Sequence, residues 1–337
     1  MATYIIRRLI WAAVMLTIVS IITFAIFFLV PRLAGATPES LATRYVGRTA
    51  TAEQVKIAAE KLGFNDPLVV QYGRFAKGIV AGADYDYGPG VEHCPAPCFG
   101  YSFLTRLPVW PDLLDRLPVT MSLAIGAAIL WVLAGVATGV VSALRRGSFF
   151  DRAAMTIALG GVSLPIFFTG MVSLVIFSYG LGITAPGGSF TPFLDDPAAW
   201  AYSLILPWIT LAFLYAAGYA RLTRAGMLET MSEDYIRTAR AKGLTERTVV
   251  LKHGLRAALT PILTIFGLDV GLLLGGAVLT ESTYSLPGMG KYAIDAITNQ
   301  DLPKVMGVVL FAAFFVVVAN LIVDLLYAVV DPRVRLA

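Results

Sequence analysis

The chain has 337 residues, 57% hydrophobic and 14% charged, with a mean hydropathy of +0.75 and a formal net charge of +4. Soluble domains carry roughly 25% charged residues, so a surface this poor in charge cannot be fully hydrated and much of it must face lipid. The small positive surplus gathers into no basic run or stripe, which leaves no footprint for nucleic acid.

A bilayer-spanning helix needs about 20 apolar residues. The first such run, Leu9 to Val30, follows Arg7 and Arg8 and ends at Pro31 and Arg32. It exceeds the roughly 7–15 residues of a signal-peptide core and ends at Pro31 and Arg32 where such a core would end at a small-residue cleavage site, so it reads as an uncleaved anchor. Further runs at Leu117–Leu144, Ala153–Leu181, Ser203–Ala220, Leu259–Thr280 and Lys304–Val330 predict six transmembrane helices in an all-α fold. The third contains Pro165, whose freed carbonyl neighbouring helices would satisfy.

Basic residues set the orientation, because loops rich in Lys and Arg stay inside. With the N-terminus inside, Arg7, Arg8, Arg145, Arg146, Arg152, Arg333, Arg335 and eight more between Arg221 and Arg256 are cytoplasmic, 15 of the 26. The short outer loops, 182–202 and 281–304, hold only Lys291 and Lys304. Both termini are therefore expected in the cytoplasm.

The expected organisation is a tail and first helix over 1–30, an outer segment over 31–116, and a five-helix core over 117–337 carrying a cytoplasmic loop at 221–258. In the outer segment, Thr51 and Gln54 have the spacing of a capping box ahead of Val55, Ala58, Ala59 and Leu62, with Gly63 as the stop. A second amphipathic stretch, Leu68 to Val80, follows Pro67. Together they predict a small helical cap resting on the membrane part. Residues 82–100, rich in Gly, Pro, Asp and Tyr, read as an irregular loop. Cys94 and Cys98 lie in it, on an oxidising face that permits a local disulfide; two free thiols, or a metal site with His93 as third ligand, are the alternatives.

The loop from Arg221 to about Ala258 is far longer than a connection between two helices requires. Within it, Ser232 is a candidate N-cap, Glu233 and Asp234 suit the positive helix end, and Gly243 suits the left-handed position that closes a helix. A second helix starts near Thr245 and Glu246. Helix, glycine turn and helix make a rigid lateral element that could pass a push from a soluble partner into the fifth span. A solvated basic loop against anionic headgroups is the other reading.

The stretch from Asp234 to Gly243, DYIRTARAKG, resembles the EAA loop of the permeases of dipeptide and oligopeptide ABC importers. The general pattern of that loop falls on Arg237, Thr238, Ala239 and Gly243, with Arg237 in place of the glutamate. The resemblance extends along most of the chain: Tyr4 to Arg8, Leu62 to Leu68 with Gln71 and Tyr72, Arg116 to Thr120, Gly275 and Gly276 through Glu281 to Gly290, and Asp324 to Arg333.

This likeness implies a type I ABC importer permease in the inner membrane of a prokaryote. Its partners would be a second, similar permease, two ATPase subunits and an extracytoplasmic solute-binding protein that delivers a peptide. ATP and Mg would be bound by the ATPases, with no cofactor or catalysis in this chain. Docking on the ATPases is implied for Asp234, Tyr235, Arg237, Thr238, Ala239, Arg240, Lys242, Gly243 and Leu244.

Asp269 falls within the fifth run, where an isolated acid costs about 2.5–3.5 kcal/mol on the insertion scale. It should face the bundle interior or a water-filled path, as part of the translocation pathway or as a structural partner between helices. Gly275, Gly276 and Glu281 are grouped with it as candidate pathway residues. Asp324 suits a structural role near the end of the last span, and Asp331 with Pro332 a helix stop. Gly135, Gly139, Gly267 and Gly271 are spaced by four and permit close helix packing. Gly288 to Lys291 lacks the remainder of a phosphate-binding loop. An ion-coupled secondary transporter acting alone is the competing function; it would show inverted repeats with broken helices and several intramembrane ionisable groups.

Overall fold

The computed structural model describes residues 2–46, 50–86, 91–102 and 104–330. The side chain of Asp324, and Asp331, Pro332, Arg333 and Arg335 entirely, lie outside the described residues. Five helices among the described residues are long and apolar enough to cross a membrane: Ile6–Leu33, Val109–Leu144, Pro197–Thr230, Glu246–Leu274 and Leu302–Ile322. A sixth crossing is possible only as a bent pair, Phe149–Gly161 with Ile166–Gly180, whose axes differ by 100°. Pro165 therefore breaks the third apolar run instead of being absorbed in it: Leu164 is extended, and Pro165 starts a new helix as its N-cap.

The chain forms two compact units, Met1–Leu117 with Tyr292–Val317, and Pro118–Lys291 with Val318–Ala337. In the first, Pro38–Val46 packs on Ala52–Lys61 around Leu41, Ala42, Val55, Ala59 and Phe64, with Phe28 of the first helix against them. The Thr51–Gln54 capping box is present in both directions, and Gly63 ends that helix at φ 71°. Leu68–Ala81 follows, and the Phe24 ring stacks on Phe28 at 4.4 Å and meets the edge of Tyr72 at 5.5 Å. This is the predicted helical cap.

The described residues of 82–100 are more regular than a loop. Ala83–Asp86 and Val91–Cys94 pair as an antiparallel hairpin in the register Ala83 to Cys94, and Cys94 is bonded to Cys98. Both cysteines and Tyr101 are buried together against Ala83 and Tyr85, and His93 meets Asp84 at 2.6 Å. Gly82, at φ 80°, turns the helix end into the hairpin, where a side chain would strike the Cys94 carbonyl. The composition is loop-like because turn residues dominate it; the pairing depends on the cysteine turn folding back.

The same unit carries a polar network at the start of the second and last spans. Tyr292 donates its hydroxyl to Asp112, and Arg116 lies 4.5 Å over the Tyr292 ring. Lys304 stands within 4 Å of both Asp112 and Asp301, and Ser102 hydrogen-bonds Asp301.

The second unit has its core around Leu123, Trp131, Leu204 and Leu211. The second and fourth helices approach closely because glycine faces bulk. Gly126 lies under the Trp208 indole, which donates to the Ser122 carbonyl at 2.9 Å, Gly135 meets Tyr219 and Ala216, and Gly139 meets Thr223 and Ala220. The fifth helix ends at Leu274, six residues before the end of its apolar run at Thr280. Gly276 turns away at φ 126° against the backbone of Gly290, and the short helix Val278–Thr283 follows. Hydropathy continues through this break, so an apolar count cannot see it.

A methyl group at Gly139 would sit 2.5 Å from the Thr223 Cβ and 2.6 Å from the Ala220 carbonyl. Gly139→Ala is expected to cost about 1–3 kcal/mol of overpacking, read as a lower unfolding midpoint in detergent. Gly218→Ala, on the fourth helix with nothing within 4 Å, should leave the midpoint unchanged or raised.

Candidate functional site

The lateral element is built as its sequence suggests, with one shift at its start. Asp234–Ala241 is the helix, but Glu233 is its N-cap and has no side-chain cap bond, while the Ser232 hydroxyl donates back to the Glu229 carbonyl. Ser232 is thus claimed by the preceding helix, whose open carbonyls compete for short hydroxyl side chains. At the other end Gly243 has φ 76°, its N–H bonds the Arg240 carbonyl, and the Leu244 N–H bonds the Ala239 carbonyl. That pair of bonds is the Schellman closure, which needs the left-handed residue glycine supplies.

Past the turn, Thr245 caps a helix that runs without interruption from Glu246 to Leu274. Its second turn, Val249–Gly254, is π-helical. Arg240 and Glu246 form a two-pronged ion pair across the turn at 2.7 and 3.1 Å. Beneath it Ile236, Ala239 and Val249 are buried with Met231, and next to them Val250 packs with Met227, Ala143 and Ala258. The lateral helix is therefore tied to the fifth span both through the chain and through side-chain packing.

The implied docking residues divide by exposure. Asp234, Tyr235, Arg237, Thr238, Arg240, Lys242, Gly243 and Leu244 are exposed, and Tyr235 and Leu244 present apolar surface to the outside. Ala239 is buried and serves to seat the helix instead.

Sequence reading missed the anchor at the base of this element. Asp151, nearly wholly buried, accepts Arg224 Nε and Nη2 at 2.6 and 2.8 Å, the Ser142 hydroxyl at 2.7 Å and the Gly147 N–H at 2.8 Å. A bidentate guanidinium–carboxylate pair fixes orientation as well as distance. It binds the turn after the second helix to the end of the fourth, six residues before the Thr230 terminus. The available signal was the opposite charges of Asp151 and Arg224 at the margins of two apolar runs.

Asp269 is partly buried in the fifth span, where Tyr219 of the fourth donates its hydroxyl to Oδ2 at 2.8 Å. Gly275 and Gly276 form the break at the end of that helix. Glu281 is fully enclosed: Oε2 accepts the Gly290 and Lys291 N–H groups at 2.7 and 3.0 Å, and Oε1 accepts the Thr120 hydroxyl at 2.8 Å. Thr120 in turn accepts the Met289 N–H at 2.9 Å. Burial pushes the Glu281 carboxyl above the ordinary glutamate range against the pull of these donors. The structure brings Glu281 to the turn at 286–291, where it is wholly enclosed.

Glu281→Gln should cost less than about 1.5 kcal/mol, because its oxygen can keep both backbone donors while Thr120 accepts from the new amide. Glu281→Ala strands three buried donors at about 1–3 kcal/mol each. Thermal unfolding of the purified protein should rank wild type, Gln and Ala in that order, with Ala far below.

Two family profiles match the chain: that of the binding-protein-dependent transport system inner membrane component over residues 135–336, and that of the N-terminal part of such membrane components over 1–124. A di/tripeptide transport system permease protein of Pseudomonas aeruginosa is 38% identical over 336 residues, covering 94% of each chain. The dipeptide transport system permease protein of Escherichia coli is 39% identical over 297 residues, covering 82% of this chain and 83% of its own. Among solved structures, a chain of the MetNI methionine ABC transporter in an inward-facing conformation is 19% identical and superposes with a TM-score of 0.46, covering 67% of this chain and 96% of its own.

Proposed function

The chain belongs to the binding-protein-dependent transport system inner membrane components, and we propose that it forms half of the passage of an ATP-driven peptide importer. A second, similar permease supplies the other half. Two ATPase subunits, which bind the ATP and Mg, work from the cytoplasmic side, where the basic loops place both termini. A solute-binding protein delivers the peptide outside, next to the cap and hairpin of residues 38–98. The peptide class rests on the relatives, which are named for di- and tripeptides.

The observation that carries the coupling role is the two-sided construction of Asp234–Ala241. One face is buried on Met231 and Val249, and the other exposes Tyr235, Arg237, Thr238 and Leu244. A soluble domain pressing on that face would move Glu246–Leu274 with it, because the glycine turn and the packing leave little slack between them. The break at Gly275 and Gly276 then lies at the far end of the moving helix, and Asp269 along it. These residues are the proposed part of the pathway.

Native purification of the chain with whatever proteins accompany it tests the reading. Wild type should bring down two ATPases and a second permease. Gly243→Pro fixes φ near −65° where 76° is required, and Leu244→Glu puts charge on the exposed apolar edge. Both should lose at least tenfold of the ATPase while retaining the second permease. A chain that purifies alone and moves solute without ATP would overturn the importer reading in favour of a self-sufficient transporter.

A further inference from the structure

Asp269 has unusual neighbours. Tyr219 holds one carboxylate oxygen, and among the described residues no cation pairs with the other. Tyr215 lies one turn before Tyr219 on the same helix. The Trp131 indole, fully buried, stacks on Tyr215 at 4.7 Å and 26°, and its centroid is 6.1 Å from the Tyr219 ring and 6.3 Å from the Phe266 ring. Phe266 precedes Asp269 by three residues and shares its side of the helix. A carboxylate held by the Tyr219 hydroxyl, with Phe266 one turn before it and the Tyr215 and Trp131 rings packed together next to Tyr219, is thus assembled from the second, fourth and fifth helices of one compact unit.

We propose that Asp269, Trp131, Tyr215 and Tyr219, backed by Phe266, form a subsite for an organic ammonium group, the free amino terminus of a cargo peptide. The proposal rests on the permease reading above and names what the passage recognises.

The chemistry favours this occupant over others. An acid among apolar helices is costly until a positive charge meets it. Hard metal cations need six or so oxygen ligands, and the aromatic wall supplies none beyond the hydroxyls. Ring faces carry negative charge and attract organic cations, ammonium groups included. Tyr219 spends its proton on Asp269 Oδ2 and so holds the carboxylate in one orientation, leaving Oδ1 for a ligand. A terminal ammonium could donate to Oδ1 while its carbon side rests on the rings.

The test uses the complete importer, this chain with its permease partner, ATPases and binding protein, in proteoliposomes supplied with trialanine. Tetramethylammonium is the probe for the subsite, since it carries the charge and the carbon surface without a peptide bond. Wild-type uptake should be slowed by tetramethylammonium. Asp269→Asn should lower uptake at least tenfold and abolish that inhibition, with Asp269→Glu recovering much of both. Tyr219→Phe, which keeps the ring, should raise the KM for trialanine several-fold and serves as the deciding variant if Asp269→Asn fails to assemble.

Uptake and inhibition by Asp269→Asn equal to wild type, or an unchanged KM in Tyr219→Phe, would overturn the subsite while leaving the importer intact. Wild-type vesicles that take up trialanine on a proton gradient without ATP would overturn both readings.

Discussion

A hydrocarbon layer supplies no hydrogen bonds, so each polar group that this chain carries into it has to be met from within the protein. Much of the architecture can be traced to how that demand is answered. Trp208 finds the Ser122 carbonyl, and Tyr284 is held between Ser173 and Thr210 at 2.7 Å each. Glu281 gathers two backbone donors and a hydroxyl, and in doing so fixes the turn that follows it. Asp151 takes four donors and joins three helix ends. Each of these side chains closes a connection that packing of Leu and Ala alone would leave loose. Asp269, by contrast, has one partner among the described residues, the Tyr219 hydroxyl of the fourth helix.

Much of this was legible in the residues. The first, second, fourth and last spans, the cap with its Thr51 box and Gly63 stop, and the Gly243 closure all follow from local rules of periodicity, capping and conformational preference. These rules act within a few residues, so the sequence alone contains the whole cause. Membership of the permease family was legible by resemblance, through short stretches such as Arg116 to Thr120 in a fixed order.

What was not legible depends on contacts distant in the chain or on breaks that hydropathy ignores. The fifth helix ends at Leu274 although apolar residues continue, because Gly276 must pass against Gly290. Pro165 splits the third run because its preceding residue is driven into an extended conformation. Ser232 lost the N-cap position to Glu233 because a free carbonyl stood nearer. No local spacing links Tyr219 to Asp269, 50 residues on, or Trp131 to Tyr215; the fold alone brings each pair together. Glu281 is a candidate pathway residue by sequence, and its enclosure by the Gly290 and Lys291 N–H groups and Thr120 depends on contacts no local rule reports.

The glycine contacts between the second and fourth helices have a mechanical consequence. At Gly126, Gly135 and Gly139 the two backbones are locked tooth to tooth, with an indole, a tyrosine and a threonine as the teeth. Helices meshed in this way have no clearance for sliding, and together they act as one stiff strut. The lapses of helical hydrogen bonding at Leu164 and Pro165 and at Gly275 to Ala277 lie outside that strut. A change of shape in this unit is accordingly a matter of flexing such joints around a strut that does not give, and not of sliding these two helices past each other.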